Sequence, residues 1–213
     1  MPVTTLTDCC AVTFRHADHE KWSLGQVVPV RPPTRRDFDL HYLYPYSLSS
    51  FHSLVALTQI SVNNADAAKR KKVLATVCYV SDENDFVLLK TPNLSLESPI
   101  IDTACYINQP YILVGASARS QKPDPVSCRH GSLLSTRPDE RGFIRGDTPS
   151  IPGDSGGGCF CARTGRLFAI NVQTTKEGAA LLPILTPFNA ACKLGLGPKS
   201  LWTNASVNHS STQ

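Results

Sequence analysis

The stretch SIPGDSGGGCF, residues 150–160, sets Asp154 and Ser155 among glycines at 153, 156, 157 and 158. Glycine lets a backbone turn sharply, and such a turn can aim two N–H groups at one point beside a side-chain hydroxyl. The composition of this loop predicts a nucleophilic Ser155, with the N–H groups of Gly153 and Ser155 as an oxyanion hole. The alternative is a plain tight turn built from small residues. A serine hydroxyl is a weak nucleophile near neutral pH, so the chemistry also requires a histidine base and an acid that orients it.

Six histidines are available, at 16, 19, 41, 52, 130 and 209. His209 belongs to a polar tail and His130 to a polar loop, which leaves four in the N-terminal half. His52, in LSSFHSLVAL, stands at the border of a strand-like run and is the expected general base; His41, in DLHYLY, is the next candidate. The alternative for His52 is a half-buried imidazole bonded to backbone. Asp85 directly precedes the apolar FVLL and is the expected orienting acid, with Asp82 and Glu83 as its neighbours. His52, Asp85 and Ser155 follow one of the known chain orders for such a trio. Asp154 is read as a support of the loop. Cys9, Cys10, His16 and His19 raise the question of zinc, but adjacent cysteines do not easily face one ion, so no metal and no cofactor is expected.

The elements that must position these groups are short β-rich runs, among them KVLATVCYV, FVLLK, PYILVGAS, CFCA and RLFAINVQ. Sixteen prolines and thirteen glycines punctuate them, and no long stretch keeps a helical period, which predicts an all-β barrel or sandwich. FNAACKLG is the one short helix expected. The polar, proline-bearing KTPNLSLESPIIDTACYINQP marks a seam, giving an N-terminal unit over 1–97, a second over 98–195 and a tail over 196–213.

Hydrophobic residues at 41% and charged residues at 18% fit a folded chain. The net charge of +4 gathers in one run, KRKK at 69–72, which reads as a solvated loop; without interleaved aromatics, no nucleic-acid partner is expected. No window reaches the roughly 18 to 20 apolar residues of a membrane span. The N-terminus lacks the pattern of a secretory signal, so an intracellular location is expected, or excision from a longer precursor. The eight cysteines are therefore expected to be mostly free thiols.

PGDSGGG, ENDFVLLK and SSFHSL together resemble the chymotrypsin-fold (trypsin-like) serine proteases, in their compact intracellular or viral-type branch. The resemblance implies two six-stranded antiparallel Greek-key β-barrels with an active site between them. It implies a serine endopeptidase acting on polypeptides, with Ser155 as nucleophile, His52 as base and Asp85 as triad acid. Viral relatives carry a Thr-x-x-Gly-x-Ser/Cys-Gly signature, and Ser150 stands at its threonine. RLFAINVQTTKEGAALLPI resembles the paired strands lining the primary specificity pocket, which makes Asn171 and Gln173 candidates for substrate contact; alternatively one of them faces solvent on an ordinary strand. No Ile-Val-Gly-Gly segment is present to supply an amine for Asp154. The oxyanion loop is then either held by other contacts or unformed, and in the second case the chain is a silent pseudoprotease that binds peptides.

Overall fold

The computed structural model describes residues 3–30, 73–91, 99–117, 127–175 and 178–198. Two antiparallel sheets follow one another along the chain. The first holds β1 (Thr4–Thr5), β2 (Cys10–Phe14), β3 (Val27–Val30), β4 (Val73–Ser81) and β5 (Phe86–Lys90), in spatial order β1-β2-β5-β4-β3. The second is a closed barrel of β6 (Pro110–Gly115), β7 (Ser127–Ser135), β8 (Ile144–Gly146), β9 (Gly158–Cys161), β10 (Leu167–Thr175) and β11 (Gly178–Pro183), ordered β10-β11-β8-β7-β6-β9. One α-helix, α1 (Leu185–Lys193), follows the barrel where FNAACKLG predicts it.

The nearly all-β, chymotrypsin-like architecture agrees with the sequence reading, and the second barrel has the six strands expected. In the first unit the described residues form a five-stranded sheet, and residues 31–72 lie outside the description. So do residues 92–98, the part of the expected seam that holds the 97/98 boundary, and residues 199–213 of the tail.

Alternation explains how the two sheets meet. In a strand, successive side chains face opposite sides, and β5 is apolar on both because it is covered on both. Phe86 and Leu88 enter a core shared with Cys10 and Val12 of β2, with Ile170 and Val172 of β10, and with Ala180 and Leu182 of β11. Val87 and Leu89 turn the other way, onto Val28, Ala75 and Val77. Strand β11 divides similarly, sending Ala179 and Leu181 into a core with Tyr111, Leu113 and Ile144. The helix closes one end of the shared core with Ala191, and beyond it the Leu196 carbonyl accepts the Thr7 hydroxyl at 3.0 Å. All eight cysteines are free thiols.

Candidate active site

Asp85 lies immediately before β5, where the β2–β5 ladder ends at the Phe14–Phe86 pair. Its backbone is left-handed, φ 54°, a conformation that aspartate tolerates better than most residues. That twist turns the carboxylate back onto the chain leaving β2. One oxygen accepts the backbone N–H groups of Arg15 (3.1 Å) and His16 (2.8 Å), and the other meets His16 Nδ1 at 2.8 Å. The Arg15 N–H also reaches the Asp85 carbonyl at 3.1 Å.

The Asp85 side chain is 8% exposed, so these bonds lie largely out of water, whereas His16 keeps 35% of its side chain accessible. A carboxylate that accepts from Nδ1–H leaves Nε2 as the basic nitrogen, directed away from the acid. The Arg15 side chain braces the next turn: its Nε pairs with Asp82 at 2.9 Å, and its guanidinium donates to the carbonyls of His19 and Trp22. His19 packs at a tilt against the rings of Phe14 and Trp22 and has its Nδ1 at 3.0 Å from the Phe14 carbonyl.

His52 and His41 both lie outside the described residues. The histidine joined to Asp85 is His16, one of the four N-terminal histidines the sequence reading leaves available, though it prefers His52 and then His41 and singles out His16 only in the question of zinc. A local signal for it exists: CAVTF is a buried five-residue strand, and His16 follows it as Asp85 precedes FVLLK, at one edge of the same ladder.

The Ser155 turn is held from several sides. Gly153 has φ 108° and Gly156 φ 81°, both in the region that favours glycine. A Cβ on Gly153 would lie 2.8 Å from the Ala116 carbonyl oxygen. Within the turn, the Asp154 N–H donates to Ile151 (2.9 Å) and Gly157 N–H to Asp154 (3.1 Å). The turn is fastened to β10 by Gly156 N–H to the Asn171 carbonyl (2.7 Å) and Asn171 N–H to the Gly157 carbonyl (2.8 Å). Thr4 of the first sheet donates its hydroxyl to the Gly156 carbonyl at 2.9 Å, so β1 touches the turn directly.

Asp154 itself is fully buried. Its carboxylate accepts Ser127 Oγ (2.7 Å) on one oxygen, and Arg129 Nε (2.9 Å) and Ile151 N–H (3.1 Å) on the other. Burial alone would raise its pKa, but the hydrogen bonds from Ser117, Ser127, Ile151 and Arg129 outweigh that and hold it below the ordinary aspartate value. Among the described residues, no hydrogen bond consumes the N–H of Gly153 or of Ser155, and none joins Ser155 to His16. Cys159, four residues on, is fully buried; burial, and then the charge of Asp154, pushes its thiol up, which keeps it unreactive.

The three substrate-contact candidates fall in different places. Asn171 is fully buried opposite Leu181 on the barrel-core face, and its side-chain oxygen and nitrogen have no partner among the described residues. Gln173 is half-buried beyond a register shift in β10. Ser150 is buried, with its hydroxyl against that of Thr174.

The sequence profile of the trypsin-like peptidase domain matches residues 10–170, a span that holds His16, Asp85 and Ser155. Similar solved structures include the Rv3671c protease of M. tuberculosis in its inactive form, 13% identical with TM-score 0.55, covering 91% of this chain and 82% of that one. The HtrA-type protease AlgW with a decapeptide is 14% identical with TM-score 0.59, covering 92% of this chain and 51% of that one. A serine endoprotease from Yersinia pestis is 13% identical with TM-score 0.57, covering 91% and 56%. At these identities the likeness is one of fold, and the chain spans about half the length of the latter two. None of the curated proteins matches the sequence. By the match over residues 10–170, the chain belongs to the trypsin-like peptidase family.

Proposed function

We propose that the protein is a serine endopeptidase whose triad is Ser155, His16 and Asp85. The observation that carries this reading is the Asp85 carboxylate closed on His16 through both the Nδ1 and the backbone N–H. In this reading His16 Nε2 takes the Ser155 proton as Oγ attacks a peptide carbonyl carbon. The carbonyl oxygen gains the negative charge and receives the N–H groups of Gly153 and Ser155. Collapse of the tetrahedral adduct breaks the C–N bond, and the imidazolium returns its proton to the leaving amine. Water, deprotonated by the same nitrogen, then hydrolyses the acyl-enzyme. Asp85 keeps the imidazole in one tautomer and stabilises its charged form. Gln173 is the side chain proposed to meet the substrate, because Asn171 acts through its backbone, fastening the turn.

The test is labelling with a fluorophosphonate probe and cleavage of a peptide library. Labelling is expected for the wild type and for His52→Ala, and its loss for Ser155→Ala and His16→Ala. Labelling that survives in folded His16→Ala sinks the assignment of the base. The open Ser155–His16 link favours one second reading, a silent module that binds peptides through the same surface. Peptide binding by a folded wild type that neither labels nor cleaves would establish that one instead.

A further inference from the structure

Both oxygens of the buried Asp154 carboxylate are engaged from inside the barrel. Ser127 and Arg129, two residues apart on β7, each donate to it, and so does the Ile151 N–H. Arg129 also donates through Nη2 to Ser117 Oγ at 3.1 Å, and the Ser117 N–H donates to Ser127 Oγ at 3.2 Å. Ser117, Ser127, Arg129 and Asp154 form a closed ring linking the end of β6, the start of β7 and the nucleophile turn. Space for it is made by Gly115, where a Cβ would run into the Asp154 carboxylate.

We propose that Arg129 is a positioning residue that keeps the Gly153–Gly157 turn in its oxyanion-binding shape, acting through Asp154. A carboxylate with no exposure cannot stay charged and unpaired. Without the guanidinium it keeps the Ser127 and Ile151 donors but loses its paired cation, which favours proton uptake or an outward swing, and either change disturbs the Ile151 N–H bond to its side chain. The adjacent Asp154 N–H to Ile151 bond and the Gly157 N–H to Asp154 bond orient the Gly153 and Ser155 amides, so their aim follows the carboxylate. The guanidinium is part of the fold and its charge is permanent. The turn is therefore formed without a cation delivered by proteolysis or by a partner. The catalytic consequence rests on the peptidase reading; the conformational one does not.

The experiment compares wild type, Arg129→Ala and Arg129→Lys by amide hydrogen exchange and by peptide turnover. Alanine is expected to strip protection from the amides of Asp154, Gly156 and Gly157 while those of β10 and β11 keep theirs. The kcat is expected to fall about 10- to 100-fold with KM little changed, less than the loss of a whole oxyanion donor. Lysine, which keeps the charge but cannot reach Asp154 and Ser117 together, is expected to recover most of both losses. If alanine does not fold, the lysine variant alone still has to show partial loss in the same amides. Unchanged protection in the turn, or loss spread evenly over the barrel, overturns the proposal, as does a defect confined to KM. A wild type that turns over no peptide, while the exchange pattern behaves as expected, removes the peptidase reading and leaves the Arg129 assignment standing.

Discussion

Asp85→Asn separates a carboxylate that tunes a base from one that merely caps a loop. Asparagine is nearly isosteric, and its Oδ1 can still accept the Arg15 and His16 backbone N–H groups that Asp85 accepts at 3.1 and 2.8 Å. The fold at this ladder end should survive. What changes is the atom facing His16 Nδ1, where an acceptor at 2.8 Å becomes an amide donor. Two donors cannot share that contact, so the imidazole proton moves to Nε2, the nitrogen proposed to take the Ser155 proton, which then ceases to be basic. A wrong tautomer in an intact triad lowers kcat by about 10⁴, which corresponds to about 5 kcal/mol of transition-state stabilisation. The assay is the rate of serine phosphonylation by a fluorophosphonate, with loss of fluoride, beside a thermal melt of the same sample. His52→Ala run in parallel should label at the wild-type rate. An Asp85→Asn variant that labels within about tenfold of wild type, far short of the tautomer effect, would refute the argument; so would abolition of labelling by His52→Ala in a folded protein.

Other outcomes follow from the same geometry. Gly153→Ala puts a Cβ at φ 108° and 2.8 Å from the Ala116 carbonyl oxygen, so it should cost about 1–3 kcal/mol in a denaturant melt and slow acylation. The depressed pKa of Asp154 stabilises the fold above the ordinary aspartate value, about 3.9, and that contribution is lost as pH falls through the lower folded value. Melts of wild type and Asp154→Asn should differ most above about pH 4 and converge below it; a gap that persists in acid would contradict this. Leu88→Ala, in the core shared by the two sheets, should lose about 2–5 kcal/mol in a denaturant melt.

The sequence was most informative where the determinants are local. Four glycines around Asp154 and Ser155 prescribe a tight turn whatever surrounds it, because glycine alone adopts φ near 108° without cost. The FVLLK run with an aspartate at its head reads as a buried strand with an acid at its end, and β5 has that form. Short β-rich runs between prolines and glycines gave the all-β class, and FNAACKLG, read as a short helix, overlaps α1.

The partner of Asp85 is a different kind of fact. His16 and Asp85 are 69 residues apart, and only the register Phe14↔Phe86 brings them to one ladder end. Residue type and local context favour His52 and do not single out His16, since strand pairing is a non-local choice made by the shared core. The same holds for Arg129, whose place against Asp154 depends on closure of the six-stranded barrel rather than on any motif around it. Local chemistry in the sequence therefore determined the glycine turn around Ser155 and the aspartate at the head of β5, through backbone constraints carried by a few adjacent residues. Which histidine meets that aspartate and which cation pairs with Asp154 were decided only in the tertiary structure, because those contacts exist once β2 pairs with β5 and the barrel brings β7 beside the turn.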